Sequence, residues 1–239
     1  MSSVENVVIA AAGMSTRLGV GRPKCLVEVC GRKIIEYQLA LLKEIPHVYM
    51  VVGFCEQEVI DFVSKLRRDV LFVRNPGFQH AKTLESYYLA SRVVDGKTVF
   101  MDDDMILEPT SFQRFLRRGA EQPLLIAVSR RISEEPVYAN MKSEEPLVVQ
   151  DFSYTEKSGY EWANAVVMEA SQIRSGKTHV FEYLRGFLPT QAAVIDRMEI
   201  DTPEDLRYAE RELRRGNIWE GVTTEGFAPA GGMDHGQIR

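Results

Sequence analysis

Val7-Val-Ile-Ala-Ala-Ala-Gly13 runs into Met14-Ser-Thr-Arg-Leu-Gly19, and Arg22-Pro-Lys-Cys-Leu26 follows. The first run is apolar and β-branched and stops at glycine, so it reads as a buried strand that feeds a loop. Small residues at Ala11, Ala12 and Gly13 let backbone amides come close to an anion. Met14 continues that loop, and Ser15 and Thr16 add hydroxyl donors. Arg17 and Lys24 supply the positive charge that a polyphosphate and its transition state demand. A dinucleotide fingerprint would need G-x-G-x-x-G opening a helix. That spacing is absent, Pro23 follows soon after, and there is no Walker A loop.

Outward from this stretch, strand and helix patterns alternate. Ile34, Ile35, Leu39 and Leu42 repeat at helical spacing and predict a helix over 33–44. Val48–Val52 predicts a strand closed by Gly53. Val59, Ile60, Val63 and Leu66 predict a helix, Val70–Val73 a strand, and Thr83–Val94 another helix. Thr98–Met101 predicts a strand that runs into Asp102-Asp103-Asp104. Alternation of this kind implies an α/β, Rossmann-like single domain with a mostly parallel mixed sheet.

Later strands are expected at 124–128, 147–149, 163–168 and just before Asp201. A helix is expected from Pro203, capped by Thr202. The segments 134–136 and 142–146 read as surface turns. The domain is placed at residues 1–215. The Gly-rich tail, 216–239, is expected to be disordered or to pack on a partner subunit in a homodimer.

Composition narrows the function classes. The chain has 239 residues and a formal net charge of −5, which argues against a nucleic-acid partner. Its three cysteines, Cys25, Cys30 and Cys55, suit neither a disulfide framework nor a structural zinc site. No stretch approaches the roughly 20 apolar residues of a membrane helix. A reduced, cytoplasmic setting without membrane attachment is the expectation.

In open α/β sheets, ligands bind beyond the carboxyl ends of the strands. Gly13 and Asp102–Asp104 both fall there, which implies one shared site. Clustered carboxylates repel unless a cation neutralises them, and Mg²⁺ bridging a triphosphate is the natural candidate. His80 and His179 read as surface or packing residues. Arg130 and Arg131 follow a predicted strand and mark a place where an acceptor phosphate can sit.

Four segments together carry a family resemblance. Ala11-Ala12-Gly13 with Arg17 and Pro23-Lys24 resembles the signature of the nucleotidyltransferase (NTP-transferase) superfamily. Ser15 stands where many members have a second glycine. Cys30-Gly-Arg-Lys-Ile-Ile-Glu-Tyr37 is similar to a following family stretch, with Lys33 in place of proline. Asp102–Asp104 and Glu199-Ile-Asp-Thr-Pro-Glu-Asp-Leu206 match two further elements. The resemblance spans about residues 5 to 212 and is nearest the phosphocholine and phosphonate cytidylyltransferases and the sugar-phosphate nucleotidylyltransferases.

The resemblance implies a GT-A-like nucleotidyltransferase fold and roles for particular residues. Arg17 and Lys24 become candidate catalytic residues. Ala11, Ala12, Gly13, Met14, Ser15, Thr16, Gly53, Lys82, Thr83 and Asp102 become candidate nucleotide contacts. Asp104 and Asp201 become candidate Mg²⁺ ligands, and Asp103 is expected to point away. Glu161, Trp162 and Asn164 fall where the family places acceptor contacts, with Trp162 offering a cation–π face, and Arg130 joins them. The implied activity is Mg²⁺-dependent transfer of CMP from CTP to a small phosphorylated or phosphonate acceptor, with release of pyrophosphate. The alternatives are a sugar-1-phosphate nucleotidylyltransferase, a metal-dependent glycosyltransferase and a non-catalytic nucleotide sensor.

Overall fold

The computed structural model describes residues 3–14, 17–19, 21–131 and 133–216. Ser15, Thr16 and nearly all of the tail, with the subunit contact expected of it, lie outside the described residues. In chain order the elements are β1 (Asn6–Ala11), β2 (Glu28–Val29), β3 (Arg32–Lys33), α1 (Ile34–Leu41), β4 (His47–Val52), α2 (Glu56–Leu66), β5 (Leu71–Arg74), α3 (Thr83–Ser91), β6 (Lys97–Asp102) and β7 (Met105–Leu107). They continue with α4 (Pro109–Glu121), β8 (Leu124–Ser129), β9 (Tyr138–Glu144), β10 (Leu147–Ser153), β11 (Glu161–Glu169), α5 (Val180–Leu184), β12 (Thr190–Val194), β13 (Arg197–Glu199) and α6 (Pro203–Arg214).

Nine strands form one sheet in the order β5-β4-β1-β6-β11-β8-β12-β10-β9. β5, β4, β1 and β6 pair in parallel. β11 runs against β6 and β8, β12 is parallel to β8, and β10 runs against β12 and β9. Only β10 and β11 oppose the direction of the other strands in this sheet. This is the α/β, mostly parallel mixed sheet that the sequence implies.

The central strands are apolar on both faces because helices cover both. Along β1, Val7, Ile9 and Ala11 enter one core while Val8 and Ala10 enter the other. β4 divides in the same way, with Met50 and Val52 on one side and Tyr49 and Val51 on the other. Phe112, Phe115 and Leu116 of α4 join Val59 and Val63 of α2 on the first face. Leu84 and Tyr87 of α3 join Val180 and Phe181 of α5 on the second. A smaller third core, with Ile34, Tyr37, Ile106, Met198 and Ile200, fixes β13 and β7 beside α1. That core holds Asp104 and Asp201 at one end of the sheet.

Several expectations need correction. Lys142–Glu144 belong to β9, and the turn is confined to Glu145-Pro146, because β9 and β10 form an antiparallel hairpin with Glu144 opposite Leu147. The first helix is shorter than expected and ends at Leu41. The strand expected just before Asp201 is β13, and the β2–β3 pair, β7, α4, β9, α5 and β12 join the predicted elements. α4 carries legible signals: Pro109 at its first position, and Glu108 accepting bonds from Thr110 N at 2.8 Å and Ser111 N at 2.6 Å.

Candidate functional site

β1 and β6 are neighbours in register, with Ala10 opposite Asp102. Their carboxyl ends therefore deliver the loop after Ala11 and the three aspartates to one place. A short 3₁₀ turn at Lys24–Leu26 follows Pro23 and buries Cys25 and Leu26, which anchors Lys24 beside them. The Cys25 N–H donates to Asp103 Oδ2 at 3.1 Å. Asp103, expected to point away, holds the segment that carries Lys24 and also borders a small recess beside it. Burial and then the Asp104 charge push the Asp103 carboxyl up to about 7.

Lys24 Nζ lies 2.7 Å from Asp104 Oδ2 and also contacts Asp201 Oδ1. Burial pulls the ammonium's pKa down, but the two carboxylates outweigh it and hold it well above the ordinary lysine range. Arg17 reaches the same cluster, 2.6 Å from Asp201 Oδ2, and also faces Glu135 at 3.5 Å. Asp201 sits one residue before the Thr202 cap of α6, and Asp205 Oδ2 accepts a bond from its N–H at 3.2 Å.

Glu199 joins this cluster. Oxygens of Asp104, Glu199 and Asp201 all lie within 4.8 Å of one another. Asp104 Oδ1 is buried and has no hydrogen-bond partner among the described residues. Three convergent carboxylates, one with an orphaned oxygen, suit a hard divalent cation that takes oxygen ligands. Burial raises the Glu199 pKa, Arg197 opposes that shift, and Asp104 and Asp201 add to it.

Arg17, Lys24, Lys82, Thr83, Asp102, Asp104, Trp162, Asn164 and Asp201 all line a cavity of about 840 Å³. A smaller recess of about 140 Å³ adjoins it, lined by Ala12, Gly13, Asn75, Phe78, Lys82, Thr83 and Ser86. Asp102 borders both, and its Oδ1 accepts the Tyr87 hydroxyl at 2.8 Å. Burial and the neighbouring Asp104 charge push Asp102 well above the usual carboxylate range. Asp102 is not one of the three carboxylates whose oxygens converge.

Other sequence-derived residues fall elsewhere. Ala11 is fully buried in the core, and Met14 is exposed and borders neither cavity. Gly53 borders an adjacent surface depression rather than these cavities. Its lack of a side chain has a packing cause: a Cβ there would meet Phe78 Cβ at 2.7 Å and Ala12 Cβ at 3.0 Å. Arg130 does not line the cavity, because its guanidinium stacks over the Tyr160 ring at 5.0 Å. Glu161 lines it but is not free for a ligand. One oxygen lies 3.1 Å from Arg197 Nη2, and the other accepts from Ser133 N at 2.9 Å and Ser133 Oγ at 2.8 Å.

The cavity is also lined by Tyr154 and Phe181, which the sequence reading passed over, beside His179 and Trp162. Tyr154 meets Phe181 edge-on at 5.4 Å, and His179 stacks on Phe181 at 5.6 Å. Trp162 is packed edge-on against Phe152 at 5.9 Å. Glu134 and Glu135, read as a surface turn, are exposed on the cavity rim. Burial and then Lys82 hold His179 below the usual histidine range. Glu199 had a usable signal. Residues 197, 199 and 201 alternate with the core residues Met198 and Ile200, so their side chains share the other face.

A strand-end loop whose two cations meet convergent carboxylates at the carboxyl end of parallel strands suits a nucleotidyltransferase-type domain. The chain belongs to the MobA-like NTP transferase domain family, whose sequence model matches residues 7–155. Among solved structures it is similar to the inositol-1-phosphate CTP transferase from T. maritima, at TM-score 0.73 and 18% identity, covering 92% of this chain and 98% of that one. It is also similar to the CTP:phosphocholine cytidylyltransferase from Streptococcus pneumoniae, at TM-score 0.72 and 22% identity, covering 88% and 99%. These two likenesses show the fold. By sequence, the choline-phosphate cytidylyltransferase of Streptococcus pneumoniae is 31% identical over 117 residues, 47% of this chain and 50% of that one. The chain spans half the length, or less, of the curated relatives it matches. No helix among the described residues is long and apolar enough to cross a membrane.

Proposed function

We propose that the chain is a Mg²⁺-dependent cytidylyltransferase that moves CMP from CTP to a small phosphorylated or phosphonate acceptor and releases pyrophosphate. The observation that carries this reading is the contact of Lys24 with Asp104 and Asp201 inside one cavity. Asp104, Glu199 and Asp201 would hold Mg²⁺, and Asp102 would face the nucleotide. When bound, the metal supplies charge neutralisation for the triphosphate.

The acceptor oxygen attacks the α-phosphorus in line, and pyrophosphate leaves. An acceptor phosphate or phosphonate oxygen is already anionic near neutral pH, so no general base is required. Positioning and charge neutralisation dominate such a reaction. Lys24 would bridge the α-phosphate and the acceptor, and Arg17 would stabilise the leaving pyrophosphate. The backbone amides after Ala11, with Ala12, Gly13, Ser15 and Thr16, would approach the phosphates. Lys82 and Thr83 open α3, where the helix N-terminus favours an anion.

A small non-sugar acceptor is supported by the aromatic wall of Tyr154, Trp162 and Phe181, with Glu134 and Glu135 on the rim. Aromatic faces and carboxylates suit a cationic amine better than a ring of hydroxyls. A cytoplasmic location suits the three free cysteines and the demand for a nucleoside triphosphate.

Pyrophosphate release should be measured with each of the four nucleoside triphosphates and Mg²⁺. The acceptors are phosphocholine, aminoethylphosphonate, hydroxyethylphosphonate and sugar 1-phosphates. Release with CTP and a non-sugar acceptor is expected. Release only with a sugar 1-phosphate would move the assignment to that class, and no release with any pair would overturn nucleotidyl transfer.

A further inference from the structure

Glu199 is held from two sides. Arg197, two residues earlier on β13, contacts Glu199 Oε2 through Nη1. Asn164 Nδ2, from β11, donates to Glu199 Oε1 at 2.9 Å. Each carboxylate oxygen therefore accepts one fixed bond and keeps one lone pair for another partner. That remaining capacity lies in the trio with Asp104 and Asp201.

Both donors are themselves constrained. Arg197 is almost wholly buried, and its Nη2 is spread between Glu161 Oε1 and the Trp162 carbonyl, each at 3.1 Å. Its Nε is buried with no partner among the described residues. A buried guanidinium with an unsatisfied donor is costly, so its retention needs a reason beyond packing. Asn164 sits in the left-handed region at φ 53°, where β11 shifts register against β8 between Trp162 and Val166. Asparagine tolerates that conformation better than most residues. The shift turns the Asn164 side chain to Glu199, while Ala163 and Ala165 stay in the core.

We propose that Arg197 and Asn164 are positioning residues that fix the two oxygens of Glu199 so that its carboxylate serves the divalent-cation cluster. This rests on the cation reading of Asp104, Glu199 and Asp201 given above. Through Glu161, Arg197 also ties that carboxylate to Ser133, at the start of the loop that carries Glu134 and Glu135. The orientation of Glu199 is thus set by β11, β13 and the cavity rim together.

The test is Mn²⁺ binding to the full chain without nucleotide, read by the electron paramagnetic resonance of free Mn²⁺. Arg197→Lys keeps the charge, so the long-range attraction of the cluster is unchanged, but an ammonium cannot reproduce the planar fork. Asn164→Gly removes the donor without straining the backbone. Each should weaken Mn²⁺ binding about 10- to 100-fold, the loss typical when a group orienting a metal ligand is removed. Because both act through Glu199, Arg197→Lys combined with Glu199→Gln should bind no more weakly than Glu199→Gln alone.

A purely structural role would lower the melting temperature of these variants and leave the Mn²⁺ affinity of the folded protein within twofold of the parent. That result, or full additivity with Glu199→Gln, overturns the proposal while leaving the cluster reading intact. If the parent protein binds no Mn²⁺, the cluster reading fails and the proposal falls with it.

Discussion

Replacing Lys24 with methionine removes the only side chain that contacts Asp104 and Asp201 at once among the described residues. The side chains of Lys24, Asp104 and Asp201 are 16%, 10% and 15% exposed, so solvent screens this group weakly. Breaking a buried ion pair by deleting one partner costs about 3–5 kcal/mol, because the remaining charge is left uncompensated. For a domain of this size each kcal/mol lowers the melting temperature by about 2–4 °C, so a fall of about 6–20 °C is expected in EDTA.

The same substitution frees the oxygens that a divalent cation would use. Saturating Mn²⁺ at about 100 times its dissociation constant stabilises by about 2.7 kcal/mol. The variant should recover more of its melting temperature from Mn²⁺ than the parent does, since in the parent the lysine competes for those oxygens. Its turnover should still fall by about 10²–10³, the usual loss when a cationic or donor contact to a transition state is removed. The assays are thermal unfolding in EDTA and in Mn²⁺, and pyrophosphate release. An unchanged melting temperature in EDTA with turnover within a few-fold of the parent would refute the reasoning.

Other substitutions probe the site from different sides. Asp201→Asn should lower pyrophosphate release by about 10²–10³ by analogy with other lost charge contacts, and raising Mg²⁺ should restore part of it if the loss is in metal affinity. Asp103 keeps its proton up to about pH 7 when folded, against an ordinary value of 3.8. The folded chain binds that extra proton between the two values, so stability in EDTA falls as pH rises through this window. Asp103→Asn keeps an acceptor for the Cys25 N–H, so urea unfolding at pH 4 and pH 8 should show a shallower pH dependence. Gly53→Ala places a Cβ 2.7 Å from Phe78 Cβ, so it should cost about 1–3 kcal/mol by overpacking. Phe78 lines the smaller recess, so the Gly53 variant should also show a raised KM for the nucleotide with kcat less affected.

The sequence by itself determined the sheet's parallel half and the place of the loop after Ala11. Runs such as Val7–Ala11 and Val48–Val52 are apolar without alternation, and only a strand covered on both faces is written that way. Gly13 and Asp102–Asp104 fall where such strands end, so their common location followed from the strand-end rule. The antiparallel half was harder to read. β9 is polar on much of its length, and β12 is a short run, Thr190–Val194, without clear alternation.

Tertiary structure alone decided which side chains meet. Glu161 and Trp162 are adjacent in sequence, yet one is tied up by Arg197 and Ser133 and the other packs on Phe152 while edging the cavity. Glu199, Asn164 and Arg197 converge because the β11 register shift and the β7–β13 pair bring distant segments together. Local periodicity reports which face a residue occupies. It does not report what stands opposite, since that depends on how strands from distant segments register against one another in the folded chain.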